Sequence, residues 1–319
     1  ASLSQQNCQS GTYQPNAGQS SCIDASPGHE INLDSTSQEL CRVGYYQPDS
    51  GQQNCIPSSP GYSVANLGSS TQDGCDPGTY QPNFASSSCI EASLGHYVEN
   101  ENATAQLSCI PGTYQPNYAS TSCIISEPGH WVESDGASQT QSCPLGTYST
   151  SVGAVGIETC ISADPGYYVD STGSSSQLEC IAGTYNPVIG AISSADCLAA
   201  DAGNYVENSG SSEQTPCEIG SFQPNSGQIF CLESSSGTYV PNTGSSSVSD
   251  CLEGTYQPNS GQSECIDASP GYFTSSVRAS EQTPCLAGSY QPDTGSVTCV
   301  QADVGYHVPI EGQSMQTIC

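Results

Sequence analysis

Apolar and aromatic side chains recur along this chain in very short clusters, and Ser-rich polar stretches separate the clusters. In segments such as Gly-Thr-Tyr-Gln-Pro-Asn-x-Gly, a few extended residues lead into a turn. The proline presets φ, and Asn and Gly tolerate positive φ, so this order favours a strand that enters a tight turn. A polar return strand then follows. The pattern predicts short β-hairpins and no helix.

An aromatic residue occupies the position two after the glycine in every short segment. The short segments have the form C-x-x-G-T-Y-Q-P-N-x-G-x-x-x-C, with small variations. Their aromatic residues are Tyr13, Tyr46, Tyr80, Tyr114, Tyr148, Tyr185, Phe222, Tyr256 and Tyr290. A fixed motif at a fixed interval is typical of a repeat architecture.

Cysteines set the period of the repeat. The gaps between them alternate between 14 and 20 positions, with 19 once and 17 in place of 14 twice. The period is therefore 34 residues, and we predict one continuous array over residues 1–319 without linkers. Its repeats are 8–40, 41–74, 75–108, 109–142, 143–179, 180–216, 217–250, 251–284 and 285–318.

Long segments between the short ones carry the same hairpin without its cysteines. Ala or Ser stands three residues before their glycine, where a short segment has its first cysteine, and Gln usually stands where the second would be. The basic unit is then about 17 residues, alternately cross-linked and not. A branched aliphatic residue follows eight of the nine long-segment glycines by three positions and is predicted to stack on its equivalents: Ile31, Val64, Val98, Val132, Val169, Val206, Val240 and Val308.

This alignment predicts the disulfide pairing, because a long hairpin has lost both partners of its bridge together. The predicted pairs close the short segments: Cys8–Cys22, Cys41–Cys55, Cys75–Cys89, Cys109–Cys123, Cys143–Cys160, Cys180–Cys197, Cys217–Cys231, Cys251–Cys265 and Cys285–Cys299. Cys319 is then unpaired or intermolecular. The alternative pairs cysteines across the long segments, from Cys22–Cys41 to Cys299–Cys319, and leaves Cys8 over.

The short-segment motif resembles the ephrin-receptor-like cysteine-rich repeat, and it is similar to the single-disulfide module of tumour-necrosis-factor-receptor ectodomains. The resemblance extends over nine short and nine long segments. Those families usually carry a doublet of cysteines at each joint, whereas this chain has one, with Ala, Ser or Gln at the missing positions. The resemblance implies a small disulfide-rich all-β module of extracellular type, and it assigns no binding residues.

Composition makes the cross-links necessary. Leu, Ile, Val and Phe provide only 49 of 319 residues, and the formal charge is −29. Such a chain normally remains disordered unless something other than a large core holds it. Nineteen regularly spaced cysteines supply the disulfides and indicate an oxidising, extracellular or cell-surface location. We therefore expect an elongated array rather than a globule.

Several functions are excluded by the same composition. The chain has no lysine and only Arg42 and Arg278, so nucleic acid and anionic membrane surfaces are not expected partners. Its apolar runs are too short to insert into a membrane. No two cysteines are closer than 14 positions, which disfavours zinc. We find no catalytic motif and predict a non-enzymatic protein without a cofactor.

Apart from the cysteines, histidines and recurring carboxylates are the two sets of side chains in this chain that are of metal-binding type. His29, His96 and His130 occupy a repeat slot that holds Tyr elsewhere, and His307 lies one position further on, so packing is the favoured interpretation. Carboxylates recur in phase and leave Ca²⁺ as a weak possibility, although no concentrated ligand loop exists. The carboxylates are Glu99, Glu133, Asp170 and Glu207 after the aromatic step, and Asp24, Glu91, Glu233 and Asp267 after the short segments.

Two hairpin tips depart from the repeat, each by three extra residues and an apolar character. Their branched residues form a possible protein contact patch, with tips folded back on the array as the alternative: Val152, Val155, Ile157, Val188, Ile189 and Ile192. Trp131 occupies a tyrosine slot and is predicted to pack. Asn102-Ala103-Thr104 is the only glycosylation sequon, so attached glycan is expected at Asn102.

The two ends of the chain fall in the same phase of the repeat, since residues 1–8 align with 312–319. Residue 1 is Ala, and we read the chain as processed or as a window on a longer array; otherwise identical subunits complete one another head to tail. The predicted function is a secreted structural subunit of an extracellular fibre, filament, stalk or surface appendage that associates with itself head to tail or laterally. The alternative is a receptor or adhesin ectodomain that binds a protein or glycan.

Overall fold

The computed structural model describes residues 6–319 and confirms the predicted fold class. Within that range the chain forms eighteen two-stranded antiparallel hairpins in the 34-residue period. The described residues contain no α-helix, and their helical structure is limited to single 3₁₀ turns at Ile157–Thr159 and Ser194–Asp196. Two compact units are present within residues 6–319: one contains 6–143 with Ser149–Cys160 and Gly173–Ser175, and the other contains Pro144–Tyr148 with Ile161–Thr172 and Ser176–Cys319.

The hairpins are numbered here in chain order, so that odd numbers fall on short segments and even numbers on long ones. The odd hairpins pair Thr12–Tyr13 with Ile23–Asp24, Tyr45–Tyr46 with Ile56–Pro57, Thr79–Tyr80 with Ile90–Glu91, Thr113–Tyr114 with Ile124–Ile125, Thr147–Tyr148 with Ile161–Ser162, Thr184–Tyr185 with Leu198–Ala199, Ser221–Phe222 with Leu232–Glu233, Thr255–Tyr256 with Ile266–Asp267, and Ser289–Tyr290 with Val300–Gln301. The even hairpins pair His29–Ile31 with Gln38–Leu40, Tyr62–Ser63 with Asp73–Gly74, His96–Tyr97 with Leu107–Ser108, His130–Trp131 with Gln141–Ser142, Tyr167–Tyr168 with Leu178–Glu179, Asn204–Tyr205 with Thr215–Pro216, Thr238–Tyr239 with Ser249–Asp250, Tyr272–Phe273 with Thr283–Pro284, and Tyr306–His307 with Thr317–Ile318.

Each hairpin depends on its neighbours for most of its backbone hydrogen bonds. Hairpin 5 shows the rule: the amide of Gly78 donates to the carbonyl of Val98 in hairpin 6 (2.8 Å), and Gln81 donates to Ala103 (3.0 Å). In return, Asn102 of hairpin 6 donates to Cys75 (2.8 Å). The same three bonds recur along both compact units. An isolated two-stranded hairpin is marginal in water, so this lateral bonding is what makes such short strands possible.

Each of hairpins 1 to 16 also touches the hairpin two steps further along the chain. The Cα of Gly78 in hairpin 5 faces the carbonyl oxygen of Ala119 in hairpin 7, and a Cβ at Gly78 would overlap that oxygen. Gly78 also has a φ of 88°, in the left-handed region that favours glycine. The glycine before each first strand is therefore required both by its conformation and by this close approach.

In each unit most of the buried side chains occupy two repeating positions. One is the joint slot, three residues before the hairpin glycine, where Cys, Ala or Ser is almost fully buried in every hairpin except the first and the last. The other is the core slot, three residues after that glycine. The buried core-slot residues are Ile31, Gln47, Val64, Gln81, Val98, Gln115, Val132, Ser149, Val169, Asn186, Val206, Gln223, Val240, Gln257, Thr274, Gln291 and Val308.

Glutamine fills the core slot of most odd hairpins because it binds the hairpin tip from within. Gln47 is 2% exposed; its Nε2 donates to the carbonyl of Asn54 (2.8 Å), and its Oε1 accepts from the amide of Asp49 (3.1 Å). Both polar ends are thus satisfied, as burial requires. In the longer tip of hairpin 11, Asn186 takes this place and accepts from the amide of Val188 (3.0 Å).

Disulfides join the two cysteines of every short segment, with Cα separations of 5.6 to 5.8 Å. The nine bridges within the described residues are Cys8–Cys22, Cys41–Cys55, Cys75–Cys89, Cys109–Cys123, Cys143–Cys160, Cys180–Cys197, Cys217–Cys231, Cys251–Cys265 and Cys285–Cys299. The bridge does not lie at the base of the two-residue ladder, as a simple hairpin staple would. At the base of the ladder in hairpin 1, the amide of Ala25 donates to the carbonyl of Gly11 (3.0 Å). Cys22 lies at the opposite end of the return strand, which it directly precedes.

Seven of the nine even hairpins replace the disulfide by a hydrogen bond between glutamine and backbone; Thr140 and Val248 take the place of the glutamine in the other two. In hairpin 6, Oε1 of Gln106 accepts from the amide of Ser93 (2.8 Å), and its Nε2 donates to Oγ of Ser93 (2.9 Å). Gln106 stands where an odd hairpin has its second cysteine, and Ser93 follows the buried joint residue Ala92. The same amide bond is made by Gln38, Gln72, Gln177, Gln214, Gln282 and Gln316.

Because the slots are equivalent, a tenth disulfide should form when both are changed to cysteine in hairpin 6. We expect the double variant Ala92→Cys/Gln106→Cys to oxidise spontaneously and to gain up to about 3 kcal/mol of stability for a loop of this size. Non-reducing peptide mapping would detect the linked peptide, and Ala92→Cys alone is the control. Two free thiols in the oxidised double variant would contradict the equivalence.

Candidate functional site

The histidines have structural contacts of their own. Nδ1 of His29, His96 and His130 lies 3.0 to 3.3 Å from the carbonyl oxygen two residues earlier in the chain. Nδ1 of His307 lies 3.8 Å from the thiol of Cys319, which is exposed and unpaired among the described residues. Over residues 6–319, no three potential metal ligands are grouped closely enough to hold an ion.

The in-phase carboxylates all point into solvent. Glu99, Glu133, Asp170 and Glu207 are exposed, and so are the four carboxylates that follow short segments. None of these side chains shares a compact ligand set with two others in the part of the chain that the structure describes. The weak Ca²⁺ possibility stays a prediction.

Both fixed positive charges are already engaged within the fold. Nε of Arg278 lies 3.4 Å from a carboxylate oxygen of Asp250, two hairpins earlier. The guanidinium of Arg42 stacks on the ring of Tyr45, at 4.2 Å from the centroid. Since the chain has no lysine, no other lysine or arginine side chain remains to pair with the other carboxylates.

The extended tip of hairpin 9 is partly packed and partly exposed. Ala154 is buried beside Trp131, with which it forms an isolated bridge, and Trp131 itself is 7% exposed. The indole N–H of Trp131 is buried and lacks a hydrogen-bond partner among the described residues. Val152, Val155 and Ile157 of the same tip are half to two-thirds exposed. The tip therefore covers the tryptophan with its small residue and presents its branched residues outward.

The extended tip of hairpin 11 repeats this division. Ala191 is buried, whereas Val188, Ile189 and Ile192 are 50 to 66% exposed. A 3₁₀ turn ends the tip, and its capping box joins Ser193 and Asp196. The predicted contact residues are thus accessible in both tips, and contact with a partner stays a prediction.

Asn102, the predicted glycan acceptor, lies in an exposed turn of hairpin 6 at a φ of 56°. Its Oδ1 sits against Gly74 of hairpin 4, where a Cβ would overlap it. Between hairpins 14 and 16, Asp250 takes the position of Gly74 and Arg278 that of Asn102, and these two side chains form an ion pair. Gly74 therefore provides the space that the asparagine side chain needs.

Two surface grooves occur at equivalent places, one in each compact unit. The first, of about 360 Å³, is lined by Tyr97, Glu99, Ile110, Thr113, Ser122 and Cys123 among others. The second, of about 330 Å³, is lined by Tyr205, Glu207, Glu218, Ser221, Ile229, Phe230 and Cys231. Each lies between an even hairpin and the disulfide of the next odd hairpin. Both combine a tyrosine ring, a carboxylate and hydroxyl groups.

Sequence reasoning missed these grooves although it had noted their parts. The sequence treats the carboxylate as one of a recurring series that leaves Ca²⁺ as a weak possibility, and nothing in it links this carboxylate to the aromatic residue two positions earlier. Only the fold shows that the closing cysteine of the next hairpin lies beside them, as Sγ of Cys89 lies 3.6 Å from the corresponding Ser63. The order Tyr-x-Glu, which recurs at Tyr97 and Tyr205, is the sequence signal from which the grooves could have been predicted.

Comparison with known families gives a match over part of the chain. Residues 203–251 match the family described as tyrosine-protein kinase ephrin type A/B receptor-like. This confirms the resemblance predicted from the short-segment motif and indicates an extracellular or cell-surface module of receptor type. No curated protein sequence matches the chain significantly.

Across residues 6–319, no helix has the length and apolar character that would be needed to cross a bilayer.

The sole tryptophan reports whether the tip of hairpin 9 is folded back. We expect Ala154→Glu to shift Trp131 emission to longer wavelength, because a carboxylate cannot be buried against the indole without a partner. Val152→Glu adds the same charge at a position that is 66% exposed, and it should leave the emission unchanged. Equal spectra for both variants would show that the tip does not cover Trp131.

Proposed function

We propose that the chain is a secreted, non-enzymatic scaffold that forms a structural subunit of an extracellular fibre, stalk or surface appendage. The observation that carries this proposal is the repeated junction between hairpins. Each hairpin presents donors and acceptors to the next one in the same geometry, so the junction is heterologous, and such contacts propagate instead of closing. Copies that associate head to tail or laterally would be joined by hydrogen bonds of the same kind.

The absence of an enzymatic role is part of the same proposal. Three of the four histidines contact backbone carbonyls, the arginines pair within the fold, and all but one of the described cysteines are disulfide-bonded. Most of the histidine, arginine and cysteine side chains therefore have structural roles. We propose no cofactor.

The alternative function is a receptor or adhesin ectodomain that binds a protein or glycan. The family match over residues 203–251 favours it, and so do the two grooves and the exposed branched residues of the extended tips. The two functions differ in assembly: a fibre subunit must polymerise, whereas an ectodomain need not.

Assembly can be tested with a variant at two glycines that would face the next copy. Gly288 and Gly305 have positive φ, and a Cβ there would meet no described atom within 4 Å, unlike the equivalent glycines inside the array. We expect purified chain to form rods in electron micrographs and to sediment as polymers, and Gly288→Leu/Gly305→Leu to abolish them, because leucine would occupy the place of an incoming carbonyl.

The control is Gly227→Leu/Gly244→Leu, at two tip glycines that also have positive φ and where a Cβ would meet only an ordinary contact at 3.8 Å. It should retain polymers while imposing a similar backbone strain, which circular dichroism would verify for both proteins. Wild-type chain that stays monomeric at all accessible concentrations would exclude the fibre and leave the ectodomain alternative.

We further propose that Asn102 carries an N-linked glycan. Chain expressed through a secretory pathway should lose one glycan mass on treatment with an N-glycosidase, and Asn102→Gln should remove that mass beforehand. Asn117→Gln, in an exposed tip outside any sequon, is the control and should keep it. An unchanged intact mass after enzyme treatment of the wild type would contradict this proposal.

A further inference from the structure

We propose that the groove in the second unit binds an arginine side chain of a basic partner segment. We call it the cation groove and define it by Tyr205, Glu207, Glu218 and Phe230, which line it together with Ile229. This inference goes beyond the scaffold role and holds whether or not the chain polymerises.

The chemistry of the lining favours a cation. Glu207 and Glu218 are both exposed and contribute two carboxylates to one groove of about 330 Å³. Tyr205 and Phe230 add two aromatic rings, whose faces attract positive charge. No basic residue lines the groove, and the two arginines of the chain are held elsewhere, by Asp250 and by Tyr45. The cation must therefore come from another molecule.

Charge complementarity supports the choice of a basic partner. The chain carries a formal charge of −29, which attracts cationic segments and accelerates their encounter. The fold already contains the proposed type of contact, because the guanidinium of Arg42 stacks on Tyr45 at 4.2 Å.

Arginine fits this lining better than a metal ion does. Calcium requires six to eight oxygen ligands, whereas Ile229 and Phe230 form an apolar part of the wall. An arginine side chain can lay its methylene stem along that apolar part. Its planar guanidinium can then donate to a carboxylate in a bidentate manner and stack on an aromatic ring.

The equivalent groove in the first unit is a natural reference. It has Tyr97 and Glu99 where the cation groove has Tyr205 and Glu207, but Ile110 stands at the place of Glu218 and Ser122 at the place of Phe230. It thus offers one carboxylate and one ring. We expect it to bind arginine more weakly, so the two grooves should titrate at different concentrations.

The test is an NMR titration of the full ¹⁵N-labelled chain with an acetylated, amidated triarginine peptide in 150 mM sodium chloride. Amide signals of Tyr205, Glu207 and Phe230 should shift saturably, and before those of Tyr97 and Glu99. Glu207→Gln/Glu218→Gln should weaken binding roughly tenfold because it removes both charge partners. Phe230→Ser leaves the charge unchanged and should weaken it about threefold through loss of the ring.

The matched control is Glu253→Gln/Glu264→Gln, which removes two exposed carboxylates of hairpin 15 outside the groove. It should change the affinity less than twofold. Equal weakening by both charge variants, no effect of Phe230→Ser, or saturable shifts with neutral oligosaccharides but not with triarginine would each overturn the proposal. Sedimentation of the same samples reports assembly separately, so failure of the groove and failure of the scaffold are distinguishable.

Discussion

Backbone hydrogen bonding between successive hairpins is the constraint on which the rest of this structure depends. Strands of two or three residues cannot satisfy their own polar groups, so each hairpin must find donors and acceptors on the next. The chain meets this need with one arrangement, exemplified by the bond from Gly78 to Val98. Close approach of the backbones follows, and it limits the glycine and the buried joint slot to residues with little or no side chain.

Such close approach also explains how a chain with few large apolar residues folds at all. The core needs only Cys, Ala or Ser at the joint slot and a medium-sized side chain at the core slot. Hydrophobic burial per hairpin is accordingly small, and cross-links reduce the entropy that folding must overcome. Where the cross-link is missing, Gln106 and its equivalents close the same loop by a hydrogen bond. Covalent and non-covalent closures thus alternate along one uniform backbone.

Much of this fold could be predicted from the spacing of cysteines, glycines and aromatic residues. The hairpins, the 34-residue period and the burial of residues such as Val98 and Val132 follow from local periodicity. The role of Gln47 could not be predicted, since nothing in the motif shows that its amide turns back to bind the tip. The cation groove was missed for a related reason: Glu218 and Phe230 join Tyr205 only through contacts between hairpins, which the order of residues does not reveal.

The alternation of bridges has a mechanical consequence. A disulfide such as Cys75–Cys89 shortens the path of tension past a loop of 14 residue steps, so pulling on the chain cannot extend that loop. The even hairpin that follows has no disulfide and can be extended; its roughly 20 residues have a contour length of about 70 Å when fully stretched. Under load the chain would therefore lengthen through its even hairpins while its bridged loops stay closed.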